Sequence, residues 1–311
     1  MKKINTLAAA VLAAVMASPA AFADDNGWQP NNVEFHGYFR SGVGQSRDGA
    51  NVAWNKSQVG RLGNESETYG EIELMATPWR LGDLSFTIDT MLALDCNGHD
   101  SWEVVSSKAG ASDSNNSQGG TDVGLMQFNL QVKGLVPGDK DANLWVGKRY
   151  YKRYDHHIID QKYINISGSG AGLEDWKIGP GRLSLAWVRK DTTAQALTVD
   201  YTDLDGNPGI KNRTVNVNVY DIRYAGSYWD GGYLEFMSST FVPNSHNSHN
   251  DSGKAHYRYS NGTGEMVTID IVQGWDGGFN KTTLQYGSGP VANSVFWMSG
   301  GYYEAGTKDM S

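Results

Sequence analysis

The stretch VEFHGYFR, Val33 to Arg40, alternates between two kinds of side chain. Val33, Phe35, Gly37 and Phe39 are apolar or small, whereas Glu34, His36, Tyr38 and Arg40 bring a carboxylate, an imidazole, a phenol and a guanidinium. A period of two is the signature of a β-strand, whose successive side chains point to opposite faces. Such a strand has one greasy face and one face of mixed polarity.

The same period recurs along the chain. In SFTIDTMLALD, Phe86, Ile88, Thr90, Leu92 and Leu94 share a face opposite Thr87, Asp89, Met91, Ala93 and Asp95. In TYGEIELM, Gly70, Ile72 and Leu74 oppose Tyr69, Glu71 and Glu73, and LSLAWV (183–188) and VNVNV (215–219) alternate likewise. No window has the apolar spacing of an amphipathic helix. Short connections rich in Gly, Pro and Asp fall at 78–83, 136–140 and 179–181, and long polar ones at 99–122, 154–175 and 244–256. Short turns at one end and long loops at the other are the asymmetry of an outer-membrane barrel. No internal repeat or domain boundary stands out, so residues 24–311 read as one all-β domain.

Residues 1–23 read as a signal peptide. Lys2 and Lys3 precede an apolar run from Leu7 to Met16, and Ala21-Phe22-Ala23 supplies a small-x-small cleavage site, so cleavage is expected after Ala23. The run is shorter than the about 20 residues a spanning helix requires. A mean hydropathy of −0.48 excludes a helical membrane protein but not a barrel, in which every second residue is polar. The net charge of −8 argues against a nucleic-acid partner. Cys96 is the single cysteine, so no internal disulfide is expected. The 16 tyrosines and 10 tryptophans suit either membrane girdles or sugar-binding surfaces. Alternation alone therefore leaves two readings open, a soluble sandwich and a transmembrane barrel, and the export signal and aromatic content favour the barrel.

Four longer blocks carry a resemblance: FHGYFRSGVG (35–44), GRLGNESETYGEIEL (60–74), WVGKRYYKRYDHHIID (145–160) and SGSGAGLE (167–174). Together, with weaker similarity through GWDGGFNKTTLQY (274–286), they resemble the maltoporin family of sugar-specific outer-membrane porins. The resemblance implies a transmembrane antiparallel β-barrel of about 18 strands, of which this chain supplies only part. It also implies a homotrimer in the bacterial outer membrane, with a long loop folded inward as a constriction. The implied function is facilitated diffusion of maltose, maltodextrins or related oligosaccharides, with no cofactor and no metal. Sugar rings would stack on a greasy slide of aromatics while a polar track exchanges hydrogen bonds with their hydroxyls.

Carried over position by position, the resemblance places Tyr38, Tyr69, Trp102 and Phe279 on the slide and Arg40, Arg61, Glu71, Arg153, Asp155 and Asp160 on the track. Strand parity agrees: Tyr38 shares a face with Arg40, and Tyr69 with Glu71. The chain departs from the family at Lys162, a flexible cation where an aromatic usually narrows the constriction. Near Met126 a further track arginine is lacking, and the chain stops at YYEAGTKDMS without the family's final aromatic strand. A C-terminally truncated member is therefore expected.

Glycoside hydrolysis needs a protonated carboxyl group. Glu71, Asp155 and Asp160 would each have arginine company in an arginine-lined lumen, which favours ionised carboxylates and a non-enzymatic role. His156 and His157 beside Asp155, and His246 with His249, could contact a metal. The second pair lies in a polar loop without an anchoring carboxylate framework and reads as a solvated external loop, so no metal site is expected. The alternative from another class is an exported soluble all-β lectin that uses the same aromatics.

Overall fold

In the sheet, the two faces of VEFHGYFR go where the alternation puts them, and the neighbouring strands extend both faces. The computed structural model describes residues 33–42, 68–96, 104–106, 120–156, 162–202, 208–244, 248–249, 256–257 and 262–296. The signal peptide, Arg61, Trp102, Asp160 and the C-terminal stretch lie outside the described residues. Contacts divide the chain into two units, Met1–Arg149 and Tyr150–Ser311.

The first unit contains β1 (Val33–Ser41), β2 (Thr68–Leu81), β3 (Leu84–Cys96), β4 (Val104–Ser106), β5 (Gly120–Lys133) and β6 (Asn143–Arg149). Strands β1, β2, β3, β5 and β6 are hydrogen-bonded in that order, each antiparallel to the next, and β4 adds a short parallel pairing to β5. Between β2 and β3 the chain reverses over Gly82-Asp83, with Leu81 opposite Leu84. Gly82 has φ of 60°, a conformation glycine adopts without a Cβ penalty.

The second unit contains β7 (Tyr154–Asp155), β8 (Lys162–Ile164), β9 (Gly168–Ile178), β10 (Gly181–Thr202), β11 (Pro208–Gly226), β12 (Gly232–Pro243), β13 (Ser248–His249), β14 (His256–Tyr257), β15 (Gly264–Trp275) and β16 (Gly278–Ser288). Its main sheet runs β9-β10-β11-β12-β15-β16, antiparallel throughout, and β7-β8 and β13-β14 form two small hairpins. The helical content of the described residues is a 3-10 turn at Gly289–Val291 and one short helix, Ala292–Phe296.

Two expectations need correction. Strand β2 runs to Leu81, so the first short connection is Gly82-Asp83 and not 78–83. The region 154–175 is not a loop throughout, because β9 already begins at Gly168. Its glycines have a packing reason: a Cβ on Gly170 would lie 2.1 Å from the Trp187 carbonyl oxygen. Only glycine allows β9 this close to β10.

Side-chain burial is inverted relative to a soluble protein. Arg223 and Asp270 retain 1% and 2% of their accessible surface, whereas Phe39, Trp187 and Leu284 retain 73%, 58% and 56%. Asp89, Asn129, Asp221 and Glu235 are likewise buried, while Phe35, Phe128, Val146, Tyr220, Ile222 and Phe236 are exposed. A sandwich would bury its apolar faces in a core. Here large apolar groups point outward as on a lipid-facing surface, and the ionic groups point inward. Val188, Val217, Val219, Met237 and Phe241 also face inward and are buried, so the VNVNV stretch has Val217 and Val219 inward and its asparagines outward. Trp187 and Tyr220 stack on the outward face with centroids 6.0 Å apart, and the Trp187 indole N–H donates to Asn218 Oδ1 at 3.0 Å. An amphipathic aromatic pair of this kind suits a membrane interface.

Candidate functional site

In the first unit, register places Tyr38 opposite Glu71 and Arg40 opposite Tyr69. All four therefore lie on the polar face, and their side chains meet. The Tyr38 and Tyr69 rings stand 6.2 Å apart at 58°, and the Arg40 guanidinium lies 4.3 Å from the Tyr69 centroid and 5.8 Å from that of Tyr38. The Tyr69 hydroxyl donates to Glu71 Oε1 at 2.6 Å. A guanidinium over an aromatic face is held by the ring quadrupole and still offers N–H donors at its edge. Two rings, a donor set and an acceptor are thus gathered over two neighbouring strands, and Tyr38 remains exposed.

Beside this cluster runs a line of amides that the sequence reading missed. Gln127 donates to Glu73 at 2.6 Å, and Asn129 donates to Asp89 at 3.0 Å. Gln131 donates to Asn129 at 3.1 Å, and Asn143 donates to Gln131 at 3.0 Å. Its signal was available in GLMQFNLQ, where Gln127, Asn129 and Gln131 alternate with Phe128 and Leu130. Register shifts at Met91/Leu92, so Met126 is the extra residue of a bulge.

In the second unit, residues 150–156 and 162–166 lie against the polar face of the sheet. The Tyr151 hydroxyl donates to Asp221 at 3.2 Å, that of Tyr154 to Glu235 at 3.2 Å, and that of Tyr163 to Asp270. Burial, reinforced by these carboxylates, pushes the pKa of all three phenols upward, so they remain donors. Ile164 and Ile166 are fully buried, and the Gln285 amide donates to the Tyr163 carbonyl at 3.0 Å. A bulge in β9 sets Glu174 and Asp175 at 3.6 and 3.7 Å from the Lys152 ammonium.

Arg153 packs its guanidinium 3.9 Å from the centroid of Tyr150. Lys162 differs from the flexible cation expected of the sequence, because its ammonium pairs with the Asp155 carboxylate across the β7-β8 hairpin. His156 stacks on Tyr163 with centroids 4.7 Å apart. Phe279 lies opposite Gly274 beside the Asp276-Gly277 turn. It has the parity of Lys281, Thr283 and Gln285 and is 69% exposed, so it joins the polar face at its turn end.

A sheet with ionic groups inside and aliphatic and aromatic groups outside is the wall of an outer-membrane β-barrel, and a ring-and-charge track on its inner face is a feature of a porin. The family model described as LamB porin matches residues 33–310, and the chain belongs to that family. It is 42% identical over 294 residues to Maltoporin 1 of Klebsiella pneumoniae, covering 94% of this chain and 63% of the relative. To Maltoporin 2 of Yersinia pestis it is 42% identical over 303 residues, covering 97% of this chain and 65% of the relative. The chain thus spans a little less than two thirds of the length of these relatives.

Proposed function

We infer that the protein forms a passive outer-membrane channel for maltose, maltodextrins or related oligosaccharides. The observation that carries this reading is the cluster of Tyr38, Arg40, Tyr69 and Glu71 on the polar face. A pyranose ring has apolar C–H faces that stack on aromatic planes and a belt of hydroxyls that needs donors and acceptors. Arg40 supplies donors and Glu71 accepts, and neither acts on a covalent bond. Several weak, similar sites in succession let a sugar move without falling into one deep well, a condition that also applies to ions in a channel.

On this reading Trp102 and Phe279 continue the slide, and Arg61, Arg153, Asp155 and Asp160 continue the track. Lys162, with Asp155, makes the constriction polar. The protein is exported, cleaved after Ala23 and assembled as a homotrimer. A soluble lectin is disfavoured by the outward position of Phe39, Trp187 and Leu284, which water would not solvate well.

The test is reconstitution in planar bilayers with maltooligosaccharide added at millimolar concentration. The sugar is expected to block the ion current reversibly, with the block weakened in Tyr69→Ala. A steady current that ignores the sugar would defeat the reading.

A further inference from the structure

We propose that Tyr151, Tyr154 and Tyr163 form a clasp that positions the Asp155–Lys162 ion pair in the sugar path, an inference that rests on the channel reading above. The three hydroxyls bind one carboxylate from each of three adjacent strands: Asp221 on β11, Glu235 on β12 and Asp270 on β15. Glu235 and Asp270 are directly opposite in register. The segment is therefore tied across successive strands and not along one.

Each ring also meets a cation. Arg223 lies 5.2 Å from the Tyr151 centroid and 5.4 Å from that of Tyr154, and Lys281 lies 5.4 Å from Tyr154 and 4.8 Å from Tyr163. The arrangement matches the polarity of a phenol, whose hydroxyl hydrogen seeks an anion while its face seeks a cation. The wall holds its own carboxylates in place. Ser239 donates to Asp221 at 2.6 Å, Arg223 Nε donates to Asp221 at 2.6 Å, and Thr283 donates to Asp270 at 2.7 Å. Acceptors fixed in this way specify where each tyrosine must sit.

Alternation then directs the ion pair. Asp155 lies opposite Lys162 and Tyr154 opposite Ile164, with Tyr163 the extra residue of a bulge. Opposite residues of an antiparallel pair share a face, while neighbours on a strand alternate. With the tyrosines held to the wall, Asp155 and Lys162 project from the other side of the hairpin. The tyrosines are positioning residues: they act on passage through the pair.

The test uses the full chain with Tyr151, Tyr154 and Tyr163 changed to Phe, singly and together, in planar bilayers. Phe keeps each ring and removes only the hydroxyl. The triple variant is expected to keep heat-modifiable mobility while its open-channel noise rises and brief closures appear. A double-mutant cycle supplies a readout that simple stability would not move. Lys162→Met is expected to shift the reversal potential toward cations in the parent and to shift it much less in the triple variant, where the pair is no longer held. Should the triple variant fail to insert, Tyr154→Phe, which leaves two rungs, carries the same cycle. A folded variant with parental noise and an unchanged Lys162→Met shift would overturn the clasp. Failure of maltooligosaccharide to block the parent would instead defeat the sugar reading, since noise and selectivity are measured without sugar.

Discussion

The polar face of β1 and β2 and the polar face of β11, β12 and β15 are built on the same alternation but arranged differently. On β1 and β2, Tyr38 is exposed, and the charged groups Arg40 and Glu71 meet the aromatic rings of the same two strands. On β11, β12 and β15, Asp221, Glu235 and Asp270 are buried and are bound by Tyr151, Tyr154 and Tyr163. On the channel reading, the first arrangement leaves rings and polar groups open to a passing ligand. The second spends the same chemistry on holding a segment of the protein. A polar inner face is thus not uniformly a binding surface, because buried charge requires partners wherever it is covered.

The largest expected effect lies in the covered region. Arg223→Met leaves Asp221 buried without its cation, and loss of one member of a buried pair costs about 3–5 kcal/mol. The folded, fast-migrating form should then disappear at a clearly lower temperature on detergent gels, while Arg40→Met should leave that temperature nearly unchanged. Equal effects at the two sites would break the contrast.

A second experiment concerns the two faces of β1. Phe39→Arg places a charge on the outward face and should destabilise the folded protein by about 2–4 kcal/mol if that position lies near the bilayer midplane. His36→Arg, on the polar face, should have little effect. Denaturant titration in lipid vesicles compares them, and a larger cost for His36→Arg would reverse the assignment of the faces.

Tyr69→Ala should weaken sugar block about tenfold, equivalent to about 1.4 kcal/mol. Tyr69→Phe should fall between that variant and the parent, because the ring remains while Glu71 loses its donor. Current-block titrations measure both, and a parental value for Tyr69→Ala would remove the ring from the path.

Smaller effects are expected at partly exposed contacts. Lys162→Met should change stability by less than about 1 kcal/mol, since the pair is partly solvated, yet shift selectivity toward cations. Trp187→Phe should cost under about 1 kcal/mol, through loss of the indole hydrogen bond to Asn218, and should leave conductance unchanged. A large conductance change there would mean that the outward face takes part in transport.

Much of the β1–β2 cluster was legible in the sequence, because parity alone places Tyr38 with Arg40 and Tyr69 with Glu71. Register between the two strands then brings both pairs together. The clasp was not legible. Its hydrogen bonds join residues 70, 81 and 107 positions apart, from an irregular segment that has no period to read. Two local signals also misled. The glycines of SGSGAG resemble a loop but permit close strand packing, and Lys162 resembles a free cation until the hairpin brings Asp155 to it.

From its sequence alone this protein can be read as an exported all-β chain with one apolar and one polar face per strand, because side-chain alternation is a local property of the extended backbone. The resemblance in four sequence blocks added the porin family and the expectation of a track. Only the tertiary structure decided which polar groups stay open, as on β1 and β2, and which are committed to holding residues 150–156 and 162–166. That choice depends on register across many strands and on burial of charge, and both are properties of the assembled sheet.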